Sequence, residues 1–311
     1  MSKILNYGSL NIDYVYNVPH FVMPGETLAA INRNVFAGGK GLNQSVALSR
    51  AGGEVYHAGA VGKDDSQVLT DAIAANNIND KFLMRRNGPS GHTFIQVDTS
   101  GQNCILLYGG ANQTITKEEI DCTLDSFTKG DFLILQNEVN NIEYMIRQAS
   151  AKGMRVCFNV SPFTAELLKL PLNLCSYLIV NEIEGSSIVY MTEDTDPYII
   201  LEALTQKFPE TSFVLTLGSR GSLLKIQGKE VISCKSFKVK AVDTTAAGDT
   251  FLGYLIANLA NNIDPALALK TATAASAIAV TRKGASPSIP LNNEVTKFLS
   301  KTKDEVLTDK L

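Results

Sequence analysis

The chain has 311 residues, 45% of them apolar, and a formal net charge of −3. That length supplies a large core, as one big α/β unit or two smaller ones. A near-neutral balance without a basic block sets nucleic acid aside as a partner, and no apolar run is long enough to span a bilayer.

In chain order, MSKILNYGSL has one lysine and a brief apolar run, which does not read as a signal peptide. Ile4–Tyr7 is a β-leaning run. Asn11–Tyr16 then alternates polar and apolar, and Ala29–Phe36 reads as extended. Helical patterns follow at Gln44–Ala51 and Ser66–Ala75. Thr93–Asp98 and Asn103–Tyr108 flank Thr99-Ser100-Gly101-Gln102, a hairpin turn signal. Apolar runs at Phe132–Leu135, Val156–Phe158, Tyr177–Val180 and Phe213–Leu217 then interleave with helical patterns at Ile142–Ala151 and Pro197–Lys207. Residues 300–311 are charged and expected to be peripheral.

Strand-helix alternation predicts a mainly parallel sheet covered on both faces. Strands of such sheets read as continuous apolar runs, as these do. The segments that break the rhythm predict a small second sheet, inserted from roughly residues 11–36 and 92–109 and serving as a lid or an oligomer contact. No internal repeat or low-complexity linker is present, and 1–311 reads as a single domain. The five cysteines (Cys104, Cys122, Cys157, Cys175, Cys234) are scattered, odd in number and without C-x-x-C. They fit a reduced, cytoplasmic setting, mostly as small hydrophobes. His20, His57 and His92 lack metal-ligand spacing. There is no G-x-S-x-G and no obvious Ser/His/Asp arrangement.

Polar stretches follow the apolar strands: GSLNID (8–13), QNE (136–138), NEIE (181–184) and TLGSRG (216–221). Ligands of open α/β sheets bind beyond the carboxyl ends of the strands, so these stretches are expected to share one crevice. Most loops are polar anyway. The mix of acids, amides and glycines is what exceeds that expectation.

In FAGGKGLNQSVALSRAGG, Gly38, Gly39 and Gly41 permit close backbone approach before a helix, and Lys40 adds positive charge. A plain glycine turn with Lys40 solvated is the alternative. The stretch is not a Walker A loop, and no dinucleotide G-x-G-x-x-G follows the first strand, which argues against a dehydrogenase. VDTTAAGDTF (242–251) runs into the apolar LGYLIANLA. Small residues at a helix start leave N–H groups open to an anion. Asp249 in that turn would either complement the helix dipole or take a proton from whatever attacks the anion.

Taken together, GSLNID, PGET (24–27), AGGKGLNQ (37–44), NEIE, TLGSRG, DTTAAGDTF and VTRKGASPSIP (280–290) resemble, in that order, the ribokinase-type sugar kinases. The likeness runs from about Asn6 to Pro290, and PGET and TRKGA-x-PS point to the ribokinase branch. The resemblance implies a large doubly wound α/β domain with a small β-sheet lid over the sugar, and lids of two subunits packed into a homodimer. The implied reaction is ATP-dependent phosphorylation of the 5-hydroxyl of D-ribose. Kinases of deoxyribose, fructose or adenosine are the neighbouring expectation. A catalytically silent sugar sensor is a further one, against which the presence of Asp249 and Glu184 speaks.

The resemblance also implies roles. Asp249 would be the base, with N–H groups around Ala246, Ala247 and Gly248 as the anion hole. Asn11, Asp13, Gly39, Lys40, Asn43 and Glu138 would hold the sugar. Asn11 and Asp13, two apart on an extended segment, share one face, and a carboxylate can accept from two hydroxyls of a diol. Solvated residues of an edge strand are the other reading. Asn181 would lie near the phosphates and Glu184 would act on Mg²⁺ through water, although Asn181 also reads as a helix N-cap. Thr216, Gly218, Ser219 and Gly221 would line the ATP pocket, while also reading as a hairpin turn. Thr273 stands where some relatives place a histidine near adenine, which leaves adenine stacking open there. Asp243, Thr245, Ala279, Arg282, Gly284 and Ser288 would hold K⁺, mostly by backbone oxygens, so Arg282 would offer its carbonyl. An Asx-turn is the alternative for Asp243.

Overall fold

The computed structural model describes residues 2–302, so most of the charged carboxyl-terminal stretch lies outside the described residues. β1 (Ile4–Tyr7) is buried along its whole length. A strand apolar on both faces needs cover on both faces. Ile4 joins one core with Phe132 and Ile134, while Leu5 and Tyr7 join the opposite core with Leu133 and Leu135. Each fully buried aliphatic side chain of this kind is worth about 1.5–3 kcal/mol.

The chain then forms β2 (Asn11–Asn17), β3 (Asn32–Gly38), α1 (Lys40–Arg50), β4 (Val55–Gly62), α2 (Gln67–Ala75) and β5 (Asn79–Arg86). Next come β6 (Gly91–Val97), β7 (Asn103–Tyr108), α3 (Lys117–Leu124), β8 (Phe132–Gln136), α4 (Ile142–Ala151) and β9 (Arg155–Asn159). β10 (Tyr177–Asn181), α5 (Glu182–Ile188), α6 (Pro197–Lys207), β11 (Ser212–Thr216), β12 (Ser222–Lys225) and β13 (Val231–Cys234) follow. α7 (Ala247–Ala260), α8 (Pro265–Ala279) and α9 (Asn292–Lys301) complete the described chain.

The main sheet has nine strands in the order β13-β12-β11-β10-β9-β8-β1-β4-β5. All pairs from β5 across to β11 are parallel, and only the β11-β12-β13 edge is antiparallel. Residues of α1, α7 and α8 fill the core on one face, and residues of α3, α4 and α6 fill the other. The sheet is therefore doubly wound.

The small sheet has the order β3-β2-β6-β7. Its outer pairs are antiparallel, but β2 and β6 run parallel, so this sheet is mixed. Asp98 shapes the turn between β6 and β7 by accepting from Ser100 and Gln102 N–H groups at 2.8 and 3.0 Å. Val35, Phe36, Phe94, Ile105, Leu106 and Leu107 of this sheet are exposed. No helix among the described residues is long and apolar enough to cross a membrane.

Candidate active site

β1, β8, β10 and β11 are parallel, so their carboxyl ends open on one side of the sheet. All four polar stretches singled out in the sequence leave from that side.

One half of this cleft is built from charged side chains. Asn11 is buried on β2 and accepts from Asn112 Nδ2 at 2.8 Å. Asp13 lies two residues on and accepts from Thr93 Oγ1 at 2.6 Å. Burial pushes its carboxyl up to about 6; Thr93 opposes the rise and the Glu138 carboxylate adds to it. A Cβ on Gly38 would sit 1.9 Å from Asp13 Oδ2, so the carboxylate occupies space that only glycine leaves free. Gly39, at φ 92, turns the chain into α1, which starts four residues earlier than the helical pattern alone suggested. Glu138 Oε2 accepts from the Lys40 N–H at 3.1 Å and from Ser9 Oγ. Burial raises Glu138 too, against Ser9 and Lys40, and Asp249 contributes to the rise. Asp13, Glu138 and Asp249 thus crowd one cleft, and Lys40 is the nearby cation acting on Glu138 and Glu184.

Asp249 is buried in the first turn of α7. Its Oδ2 accepts from Asn43 Nδ2 at 3.2 Å and its Oδ1 from Gln44 Nε2 at 2.9 Å. Behind it runs a chain of buried amides. Gln136 Nε2 donates to Gln44 Oε1 at 2.7 Å and to Asn6 Oδ1 at 2.8 Å. Asn6 Nδ2 donates to the Gly41 carbonyl at 2.7 Å and to Ser45 Oγ at 2.8 Å. Ser45 Oγ meets His57 Nδ1 at 2.7 Å, and burial pushes that imidazole down to about 4. Gln136 Oε1 is buried without a hydrogen-bond partner. Such an orphan acceptor costs on the order of 1–3 kcal/mol.

The other half is a cavity of about 530 Å³. Thr216, Gly218, Ser219, Gly221, Gly248 and Thr273 line it, as do Phe251 at the end of VDTTAAGDTF and Phe237, Val239 and Ser276, which carried no signal in the sequence. The hairpin turn forms as well, between β11 and β12. A Cβ on Gly221 would lie 2.0 Å from the Cys234 carbonyl oxygen, and φ there is 114. A second cavity of about 210 Å³ holds Lys40, Asn159, Ser161, Asn181, Glu184 and Asp249. Both cavities share Thr216, Thr244, Ala247 and Gly248, so they form one continuous cleft.

At that junction Ala246 takes the left-handed conformation at φ 58. This costs an L-residue strain of order 1–3 kcal/mol and is typical of functional turns. The Ala247 N–H is taken by the Thr244 carbonyl at 3.2 Å. Asn181 caps α5, and Glu184 returns the bond: Glu184 N–H donates to Asn181 Oδ1 and Asn181 N–H to Glu184 Oε2, both at 2.9 Å. Glu184 is buried and raised by that burial, against the Asn181 bond and Lys40. Among the described residues no group of three or more His, Cys, Asp or Glu could hold a metal ion.

The last group of sequence candidates lies beside the α7 start. Asp243 accepts from the Thr245 N–H, Thr245 Oγ1 and the Gly284 N–H at 2.9, 2.6 and 2.9 Å, joining both segments. Partial burial raises its carboxyl, but the bonds from Thr245 and Gly284 win and hold it below the usual range. The Ala279 carbonyl accepts from Arg282 N–H at 3.0 Å, and Ser288 is buried. The Arg282 guanidinium is committed to Glu294 at 2.6 Å.

A buried carboxylate between an acid-rich polar cleft and a long cavity ending at a helix start is the layout of a phosphotransferase acting on an alcohol. The chain belongs to the pfkB family carbohydrate kinases, whose model matches residues 1–292. It is 35% identical over 299 residues to a ribokinase of Haemophilus influenzae, covering 94% of this chain and 96% of that protein. Two solved structures share the fold. A ribokinase of Cryptococcus neoformans in complex with ADP has a TM-score of 0.82 at 32% identity, covering 96% of this chain and 99% of the other. The Arabidopsis thaliana ribokinase complexed with ribose and ATP has a TM-score of 0.84 at 27% identity, covering 96% and 98%.

Proposed function

We propose that this chain transfers the γ-phosphoryl group of ATP to the 5-hydroxyl of D-ribose, with Asp249 as the base. The observation that carries this reading is the position of Asp249 where the acid-rich cleft meets the long cavity. ATP would lie in the cavity lined by Thr216, Gly218, Ser219, Gly221 and Thr273, with its phosphates directed at Ala246, Ala247 and Gly248. Ribose would lie among Asn11, Asp13, Gly39, Lys40, Asn43 and Glu138. Asp249 takes the hydroxyl proton, the hydroxyl oxygen bonds to the γ-phosphorus, and the bond to the β–γ bridging oxygen breaks with its electrons going to ADP. Phosphoryl transfer depends mainly on positioning and charge stabilisation, which this arrangement supplies.

A lone buried Glu184 fits a Mg²⁺ ion that arrives on the phosphates with its own waters. The ion's chemistry would be to neutralise phosphate charge. The Gly284 N–H bond to Asp243 brings the 279–288 segment beside Asp243 and Thr245, whose oxygens with those of that segment would hold a monovalent cation such as K⁺. The small sheet would close over the sugar as a lid. Its exposed apolar residues support burial against a second copy, because patches of this kind mark interfaces. Five free cysteines fit a reduced, cytoplasmic setting.

The test is ADP formation from Mg·ATP across free sugars and nucleosides, each with K⁺ and with Na⁺ alone. Ribose preferred, with K⁺ stimulation, is the expected result. Preference for 2-deoxyribose or a nucleoside would overturn the assignment of the sugar. Sugar binding without turnover would overturn catalysis.

A further inference from the structure

We infer that Gln44 is a positioning residue that holds Asp249 Oδ1 as a hydrogen-bond acceptor, with its direction dictated by the Gly41 carbonyl through Asn6 and Gln136. The inference rests on the reading of Asp249 as the base.

The argument is one of donors and acceptors. A backbone carbonyl can only accept, so Asn6 must turn its NH₂ to Gly41. Asn6 Oδ1 then faces Gln136, which must donate. The same Gln136 NH₂ also points at Gln44, so Gln44 must offer its oxygen there. That leaves the Gln44 NH₂ for Asp249 Oδ1. Turning any one amide over would set two donors or two acceptors face to face. Gln136 keeps this orientation although its own Oε1 has no partner. The polarity of the whole chain thus ends on a carboxyl oxygen that serves as acceptor.

The second arm differs. Asn43 Oδ1 accepts from Ser286 Oγ at 2.8 Å, which turns Asn43 Nδ2 to Asp249 Oδ2 at 3.2 Å. That bond is the longer of the two, and a serine hydroxyl can reverse where a backbone carbonyl cannot. Oδ1 is therefore the anchored oxygen, and Oδ2 is the one that receives the substrate proton. The charged groups facing Asp249 from other elements are Lys40, Glu138 and Glu184, and Gln44 leaves all three unchanged when replaced.

The experiment compares Gln44→Met, Gln136→Met and Asp249→Asn with the unaltered chain, following kcat, both KM values, the pH–kcat profile and Tm. Gln44→Met is expected to lower kcat about 10- to 100-fold, the scale of a misplaced reacting group, with both KM values nearly constant. Its acid limb moves to higher pH, because the ionised carboxylate has lost a donor. Gln136→Met is expected to give a smaller loss of the same kind. Unchanged kcat and pH profile in Gln44→Met, with Asp249→Asn inactive, overturns the positioning role and leaves the base standing. Near-normal turnover in Asp249→Asn overturns the base itself. If Gln44→Met does not fold, Gln136→Met decides: reduced kcat at constant KM supports the role, and unchanged kcat overturns it.

Discussion

On the side of the cleft proposed for the acceptor, Asp13, Lys40, Glu138 and Asp249 gather, and each carboxylate is held by named donors. On the side proposed for the nucleotide no carboxylate lines the cavity: small residues such as Gly218, Ser219, Gly221, Ala247 and Gly248 alternate with apolar and hydroxyl side chains such as Phe237, Val239, Phe251, Thr216 and Thr273. The difference teaches where each half is vulnerable. On the proposed reading, acceptor recognition would reside in a few charged atoms that one substitution deletes. Nucleotide recognition would be spread over small residues and several side chains, so that one deletion costs little and an obstruction costs more.

Asp249→Asn should produce the largest effect, a fall in kcat of about 10²–10⁴-fold, with ATP affinity by calorimetry unchanged. Asp13→Asn comes next: loss of a charged acceptor should raise the sugar KM about 10- to 100-fold while leaving the ATP KM within about twofold. The same variant should be more heat-stable at pH 8. Folded Asp13 titrates near 6, above its ordinary 3.8, so the native state retains a proton that the unfolded chain has released between those values. Stability is therefore lost as pH rises from about 4 to 6, and asparagine escapes that loss. A Tm gain of about 2–4 °C at pH 8, absent at pH 4, is the signature.

On the other wall, Gly221→Ala adds an atom 2.0 Å from the Cys234 carbonyl oxygen. It should destabilise the fold by about 1–3 kcal/mol and raise the ATP KM, the sugar KM moving less. Ser219→Ala should be the mildest, within about twofold in every constant. A large loss of ATP affinity in Ser219→Ala would break the comparison, since it would place recognition in one side chain.

The sequence showed the fold best where apolar runs were uninterrupted. β1 and α6 have the limits read from the pattern, the apolar runs at 132, 156 and 177 fall within strands, and the run at 213 overshoots β11 by one residue at Leu217. β4 was not legible. Its sequence, VYHAGAVG, is half glycine and alanine, and its interior is crowded by neighbours rather than filled by large side chains. β5, NDKFLMRR, is a partly exposed edge strand with few apolar residues. α8 is alanine-rich and buried along most of its length, so it has no clear polar face, although Asp264 and Pro265 mark its start. In the cleft, contiguous motifs were readable because each supplies several groups from one loop. The amide chain behind Asp249 was not. Gln44 closes AGGKGLNQ and Gln136 opens QNE, but neither was given a role there, and they meet Asn6 because β8 lies beside β1 with α1 packed near both. A further trace was polarity in apolar surroundings, an asparagine in ILNY and a glutamine closing FLILQ.

The order of these parts along the chain sets an order in time. Asn11, Asp13, Lys40, Asn43 and Glu138 are all translated before Asn181, and Asp249 follows still later. On the proposed reading, a ribosome would complete the groups that grip the acceptor well before the carboxylate that activates it, or the Ala246 turn beside it, exists. A nascent chain would therefore stay chemically silent until α7 emerges and docks on α1.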